Sequence, residues 1–151
     1  MKFDLVDRVL SLADDRIVTL KHVSSAEEYL QDHFPTFPVL PGVMMLEALV
    51  QAGRLLVEAL PDNADNRPLV LGRVRALKYG AFAKPGATLR VEVELLKRLE
   101  AGAFDLRGEA FLLEPPTPAT LATPAPSPDT PAPIAASGRF TLRPLRLHAR
   151  T

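Results

Sequence analysis

His33 and Glu47 are the two side chains in this sequence whose types and separation suggest chemistry. His33 sits in a proline-stiffened stretch, residues 32–41, DHFPTFPVLP. Glu47 follows fourteen residues later, inside an otherwise apolar run. Imidazole titrates near neutrality and can take a proton. A carboxyl group buried among apolar neighbours is favoured in its protonated form, a proton donor. A base and an acid at fixed separation are the parts needed to remove a proton and expel a hydroxyl. Blander readings stay open at this level. A lone histidine serves structure more often than catalysis, and a helix glutamate can simply face solvent.

The start of the apolar run supplies a third element. Pro41 suits the beginning of a helix, where a missing N–H costs little. Gly42 and Val43 then offer backbone N–H groups with no partner inside the helix. Together with the helix dipole, such groups can polarise a carbonyl oxygen. Glycine at position 42 also lets a ligand approach the backbone closely. Simple helix initiation would use the same residues.

The elements around these residues can be read from periodicity. Leu5, Val6, Val9, Leu10 and Leu12 recur at roughly helical spacing and predict a short N-terminal helix. Ala13-Asp14-Asp15 reads as a turn, and residues 16–23 as a strand rich in β-branched side chains. Residues 24–31 read as a loop or short helix, with Ser25 as N-cap and Glu28 as its capping-box partner. The long helix runs from Pro41 to about Leu60 and stops at Pro61-Asp62-Asn63. Its first half is apolar on nearly all sides, so something must wrap around it. Strands follow over residues 68–79, 88–95, 104–113 and 135–142. Leu89, Val91, Val93 and Leu95 alternate with Arg90, Glu92 and Glu94, and Ala101-Gly102 marks a hairpin. One long helix followed by consecutive antiparallel strands predicts an α+β fold with a sheet curled around the helix.

Composition narrows the function. The chain has 151 residues, enough for a single domain over 1–151 with a real core. Eighteen basic and eighteen acidic residues leave a formal net charge of zero, so no overall field favours nucleic acid. No cysteine is present, which excludes disulfides, thiolate zinc sites and a cysteine nucleophile and fits a cytoplasmic protein. The N-terminus lacks a signal-peptide core. The apolar run is interrupted by Glu47, Gln51, Arg54 and Glu58 and reads as a buried helix, not a membrane insertion. Eight of the 15 prolines fall within residues 115–133, a stretch with few apolar anchors that reads as a loop insertion between two strands.

His33-Phe34-Pro35, Pro38-Val39, Pro41-Gly42-Val43, Leu46-Glu47-Ala48 and Gln51 together resemble, in order and spacing, the signature of the 3-hydroxyacyl-acyl-carrier-protein dehydratases of the FabZ/FabA type. Asp7-Arg8-Val9-Leu10, Arg16-Ile17-Val18 and residues 91–96 are similar too. The resemblance implies a hotdog fold, a curved antiparallel sheet wrapped around a long central helix. It implies a homodimer whose sites join the histidine of one subunit to the carboxylate of the other. His33 would abstract the proton α to a thioester, and Glu47 of the partner would protonate the departing β-hydroxyl. The Gly42 N–H would polarise the thioester carbonyl, with Val43 beside it, and the Val39 carbonyl would orient the His33 ring. No metal or redox cofactor is implied, since the phosphopantetheine arm arrives with the substrate on an acyl carrier protein. A non-catalytic acyl-carrier-binding subunit and a hotdog acyl thioesterase are the alternatives, because one fold hosts all three.

The chain also departs from the family pattern. Asp32 and Thr36 replace the glycines that usually flank His-Phe-Pro. Gly80-Ala81-Phe82 stands where the family often has Arg-Arg-Pro. Arg73, Arg75, Lys78, Lys84, Lys97 and Arg98 are candidates for meeting an acidic carrier, or for a solvated basic face. Met44 and Met45 are candidates for lining an acyl tunnel, or for core. His22 and His148 lack matching partners and read as structural or solvated.

Overall fold

The computed structural model describes residues 3–61, 67–115 and 131–145. Its spine is helix α1, Gly42–Glu58, led in by Pro41 in extended geometry (φ −57, ψ 139). Proline cannot sit inside a helical ladder but fits immediately before it. The helix ends where Ala59 and Leu60 close the last turn, just ahead of Pro61. Met45, Ala48, Leu49, Val50, Ala52, Gly53, Leu56 and Val57 are buried along it.

Six strands wrap this helix: β1 Arg8–Leu12, β2 Arg16–His22, β3 Leu69–Tyr79, β4 Thr88–Arg98, β5 Phe104–Leu113 and β6 Ile134–Pro144. They form one antiparallel sheet in the order β1-β2-β4-β5-β6-β3. Strands β2 to β6 all contact α1. Leu89, Val91 and Val93 on β4, Leu106 on β5 and Phe140 and Leu142 on β6 are fully buried beneath it. This is the hotdog arrangement that the wrapped helix and the family resemblance imply. The Ala101-Gly102 hairpin is present, with positive φ at both residues as a tight β-hairpin requires.

Three expectations are corrected. The N-terminal helix is instead strand β1, whose residues are all exposed and pair with β2 (Arg8 opposite Leu20, Leu12 opposite Ile17). The helical spacing of Val9, Leu10 and Leu12 does not describe burial, and pairing with a neighbouring strand overrides it. The short helix after β2 is a 3-10 turn, Glu28–Leu30, without a side-chain cap. The carboxylate that closes this loop is Glu27, not Glu28: it accepts the Ser24 N–H at 2.8 Å and Lys21 Nζ at 3.0 Å. Finally, β3 does not neighbour the strand that follows it. It crosses to the far edge beside β6, a topology that strand periodicity cannot reveal. The β4 alternation ends at Leu95, half-buried at a bulge. The proline-rich stretch falls mostly within residues 116–130, outside the described residues.

One charged cluster stitches the edge of the sheet. Asp105 on β5 is buried, and Arg139 of β6 embraces it with Nε at 3.0 Å and Nη2 at 2.5 Å. Arg75 of β3 adds contacts at 3.2 and 3.3 Å. The hydrogen bond from Arg139, together with the charges of both arginines, outweighs burial and holds the Asp105 carboxyl below its ordinary range. A depressed carboxylate pKa contributes stability above the unfolded value of about 4 and loses it as pH falls through the lower folded value. Asp105→Asn is therefore expected to lower Tm at neutral pH and to flatten its decline below about pH 4, measured by thermal melts across that range.

Candidate active site

The loop before α1 holds His33 by local hydrogen bonds. Phe37 N–H donates to Phe34 O at 3.0 Å and Val39 N–H to His33 O at 3.0 Å, folding residues 33–39 back on themselves. Leu40 N–H donates to Ala83 O at 2.8 Å and pins the loop to the segment before β4. The His33–Phe34 peptide bond is cis. The half-buried His33 ring places Nδ1 3.0 Å from the Val39 carbonyl oxygen. A carbonyl only accepts, so Nδ1 is the donor, and in the neutral ring Nε2 is then the nitrogen with the lone pair.

The helix start lies directly after this loop. Met44 and Met45 donate to Pro41 O at 2.9 and 3.2 Å, so Gly42 and Val43 keep their N–H groups outside the ladder. Val43 is 68% exposed. Glycine at 42 has a steric cause as well: a Cβ there would lie 2.7 to 3.0 Å from three ring carbons of Tyr79, the last residue of β3.

Glu47 is not enclosed in apolar surroundings as its sequence neighbours suggest. Its side chain is 35% exposed within one chain, on the outer strip of α1. Leu46 and Ala48 are adjacent in sequence, but successive helix residues point about 100° apart. Its real neighbours are one and two turns on: Gln51 Nε2 donates to Oε1 at 3.1 Å, and Arg54 Nη1 lies 3.5 Å from the same oxygen. Both contacts fall on Oε1, which leaves Oε2 available for a proton. Gln51 also donates to Phe3 O at 3.0 Å and accepts the Leu5 N–H at 2.8 Å, tying the N-terminal segment to the helix beside the acid. Among the described residues, the hydrogen bonds and ion pairs of Glu47 go to Gln51 and Arg54, and none joins it to His33. One chain thus brings together His33, Val39 and the helix start, and presents Glu47 outward.

The remaining candidates separate. Met45 is core, and Met44 is half-buried against it. Arg75 is committed to Asp105, and Lys84 stacks over the Phe37 ring at 4.6 Å, so neither belongs to a purely solvated basic face. His22 is exposed with its ring 3.2 Å from Thr88 Oγ1, and His148 lies outside the described residues. The glycine at 80 is also explained: a Cβ there would lie 2.3 Å from the Ile134 carbonyl oxygen, so the backbone of β6 excludes any side chain. Arg54, the double role of Gln51 and the placement of Tyr79 are additions from the structure. The i+4 and i+7 spacings to Glu47 were the available signal for the first two. Nothing in sequence joins Tyr79 to Gly42.

Comparison with known proteins decides the family. The model of the FabA-like domain matches residues 1–111. The chain belongs to the FabA-like family. It is 44% identical over 111 residues to the 3-hydroxyacyl-[acyl-carrier-protein] dehydratase FabZ of Pelotomaculum thermopropionicum, covering 73% of this chain and 78% of that protein. It is 43% identical over 97 residues to the FabZ of Solibacter usitatus, covering 64% of this chain but only 59% of that relative. Among solved structures it resembles the dehydratase heterocomplex ApeI:P of Xenorhabdus doucetiae, with TM-score 0.63 and 17% identity over 95% of this chain and 99% of that one. It also resembles a Thermus thermophilus thioesterase superfamily member, with TM-score 0.60 and 20% identity over 90% and 85% of the two chains. At those identities the structural likeness establishes the hotdog fold.

In this FabA-like chain the fit at the helix start is the tightest constraint on the site. Gly42→Ala is expected to push the Tyr79 ring and the Gly42 N–H out of register. Turnover of a 3-hydroxyacyl thioester should fall by roughly two orders of magnitude, while the melting curve stays cooperative. Steady-state kinetics beside a thermal melt checks both.

Proposed function

We propose that this chain removes water from a 3-hydroxyacyl thioester carried on an acyl carrier protein, giving the trans-2-enoyl thioester in fatty-acid or related acyl biosynthesis. The observation that carries the reading is His33 with Nδ1 committed to Val39 and, among the described residues, no hydrogen bond on Nε2, one short loop from a helix start whose first N–H groups lie outside the ladder. Relatives named as dehydratases over most of this chain support it. The reading treats residues 1–151 as one domain in a cytoplasmic setting. No cofactor is called for, because the pantetheine arm comes with the substrate.

The chemistry follows from the groups present. The substrate carbonyl lies against the Gly42 N–H, with Val43 beside it at the positive end of the helix. His33 Nε2 takes the proton from the carbon α to the thioester, and negative charge gathers on the carbonyl oxygen. The β-carbon–oxygen bond breaks as Glu47 Oε2 gives its proton to the hydroxyl, which leaves as water. The α–β double bond forms from the released electron pair. His33 now carries a proton and Glu47 lacks one, and exchange with solvent resets both.

The proposed unit is a homodimer in which Glu47 of one copy serves His33 of the other. Two features support it. Among the described residues, strand β3 pairs with β6 alone and ends the sheet, leaving its 11-residue edge for another strand. The outward strip of α1 carries Glu47 between the exposed Val43 and Leu55. A thioesterase or a silent carrier-binding subunit would leave different products, and the decisive assay follows both. Purified protein is given a 3-hydroxyacyl carrier thioester, and enoyl absorbance and free thiol are recorded. Enoyl formation is expected, falling at least a hundredfold in His33→Ala and in Glu47→Gln. Thiol release without enoyl product would indicate a thioesterase, and neither product would indicate a binding subunit.

A further inference from the structure

Tyr79 closes β3 with its ring against the first residue of α1. Of its ring atoms, the hydroxyl-bearing Cζ comes nearest to the Cβ position of Gly42, at 2.7 Å, with Cε1 at 2.8 Å and Cε2 at 3.0 Å. The phenol end of the ring therefore lies against Gly42, the first residue of the helix and the one whose N–H the proposed reaction uses. We propose that the Tyr79 hydroxyl is a second hydrogen-bond donor to the substrate's thioester carbonyl, paired with the Gly42 N–H. This deepens the dehydratase reading and rests on it for the position of the carbonyl.

Four observations carry the assignment. The Tyr79 backbone is held by β6: it pairs with Ala136, and the next two residues donate from Gly80 to Ala135 O and from Ala81 to Ile134 O, each at 3.0 Å. The ring thus projects from a backbone that is fixed by hydrogen bonds to β6. Second, among the described residues no hydrogen bond occupies the Tyr79 hydroxyl, although the ring packs tightly on Gly42. Third, Tyr79 as a residue is 49% exposed, so a ligand can approach it from the open side. Fourth, burial raises the phenol above its ordinary value, which keeps it a neutral O–H donor at working pH. Packing against a glycine needs only a six-membered ring, and the hydroxyl is an addition that packing does not explain. The electrostatic logic is that of an oxyanion hole. Charge collects on the carbonyl oxygen as the α proton leaves, and donors already aimed at it need no reorganisation.

The test replaces the hydroxyl alone. Tyr79→Phe keeps the ring over Gly42, so its melting temperature should match that of the wild-type chain. The probe is a butyryl-pantetheine thioester labelled with 13C at the carbonyl, which lacks a 3-hydroxyl and cannot react. Isotope-edited infrared difference spectra of the bound probe report the donors on its carbonyl. In the wild-type chain the band is expected below its position in water, and in Tyr79→Phe it should move back to higher frequency. Glu47→Gln should leave it where the wild-type chain has it. With a 3-hydroxyacyl substrate, kcat and kcat/KM of Tyr79→Phe are expected to fall together by about ten- to a hundredfold, as for a donor used in the transition state. An identical band in wild type and Tyr79→Phe overturns the proposal, and so does failure of the wild-type chain to bind the probe. Failure of the dehydratase reading is separately visible, as absence of enoyl product from the wild-type chain. The carbonyl band then still judges Tyr79.

Discussion

The structure depends on covering one helix that water would not tolerate bare. Helix α1 buries eight of its 17 residues, and the sheet must curl to reach them. The cover is incomplete. Val43, Glu47, Gln51, Arg54, Leu55 and Glu58 fall within about 120° of arc at 100° per residue, and this strip stays half-buried or exposed. At the helix start Val43 is exposed, while the Tyr79 ring packs on Gly42. The groups of the proposed site therefore lie where the wrapping ends: His33 in the loop, Gly42 at the tip, Glu47 along the half-covered strip. Their location is a consequence of burying everything else.

Each of these groups is made directional by a partner. The Val39 carbonyl accepts from the Nδ1 edge of the His33 imidazole, which assigns Nε2 to the base role in the proposed reaction. Gln51 and Arg54 both bind the same oxygen of Glu47, which leaves Oε2 for the donor role in the proposed reaction. Gln51 simultaneously holds the backbone of Phe3 and Leu5, so the N-terminal segment bears on the acid through one amide. Tyr79 crosses from the far edge of the sheet to the helix tip, and Asp105 with its two arginines clamps β3 onto β5 and β6 a few residues away. The edge strand that carries Tyr79 is thereby tied to the sheet interior.

Much of this was legible from residue order. The α1 span, five of the six strands and the antiparallel wrap follow from periodicity and proline placement. The loop-helix motif, from His33 to Gln51, is contiguous, which is why a linear reading finds it. What escaped is non-local. Strand β1 is exposed on both faces and owes its conformation to β2, so its side chains carry no burial signal. The crossing of β3 to β6 places Tyr79 over Gly42 across 37 residues of sequence, with no pattern to announce it. The half-exposed place of Glu47 is set by its helix face, which adjacency to Leu46 and Ala48 in sequence does not report. Gly80, a departure from the family pattern, lies where a Cβ would meet the Ile134 carbonyl oxygen, a contact made by the pairing of β3 with β6.

The central claim is that base and acid come from different copies of the chain. Differently tagged His33→Ala and Glu47→Gln chains, each inactive alone, can be co-expressed and the mixed dimer isolated through both tags. If the site is shared, the mixed dimer holds one site with both groups intact and one with neither. It should recover about half the wild-type turnover per dimer, a direct count of intact sites. If His33 and Glu47 of the same chain work together, every site in the mixed dimer lacks one group. Turnover at the level of the single variants would then contradict the account.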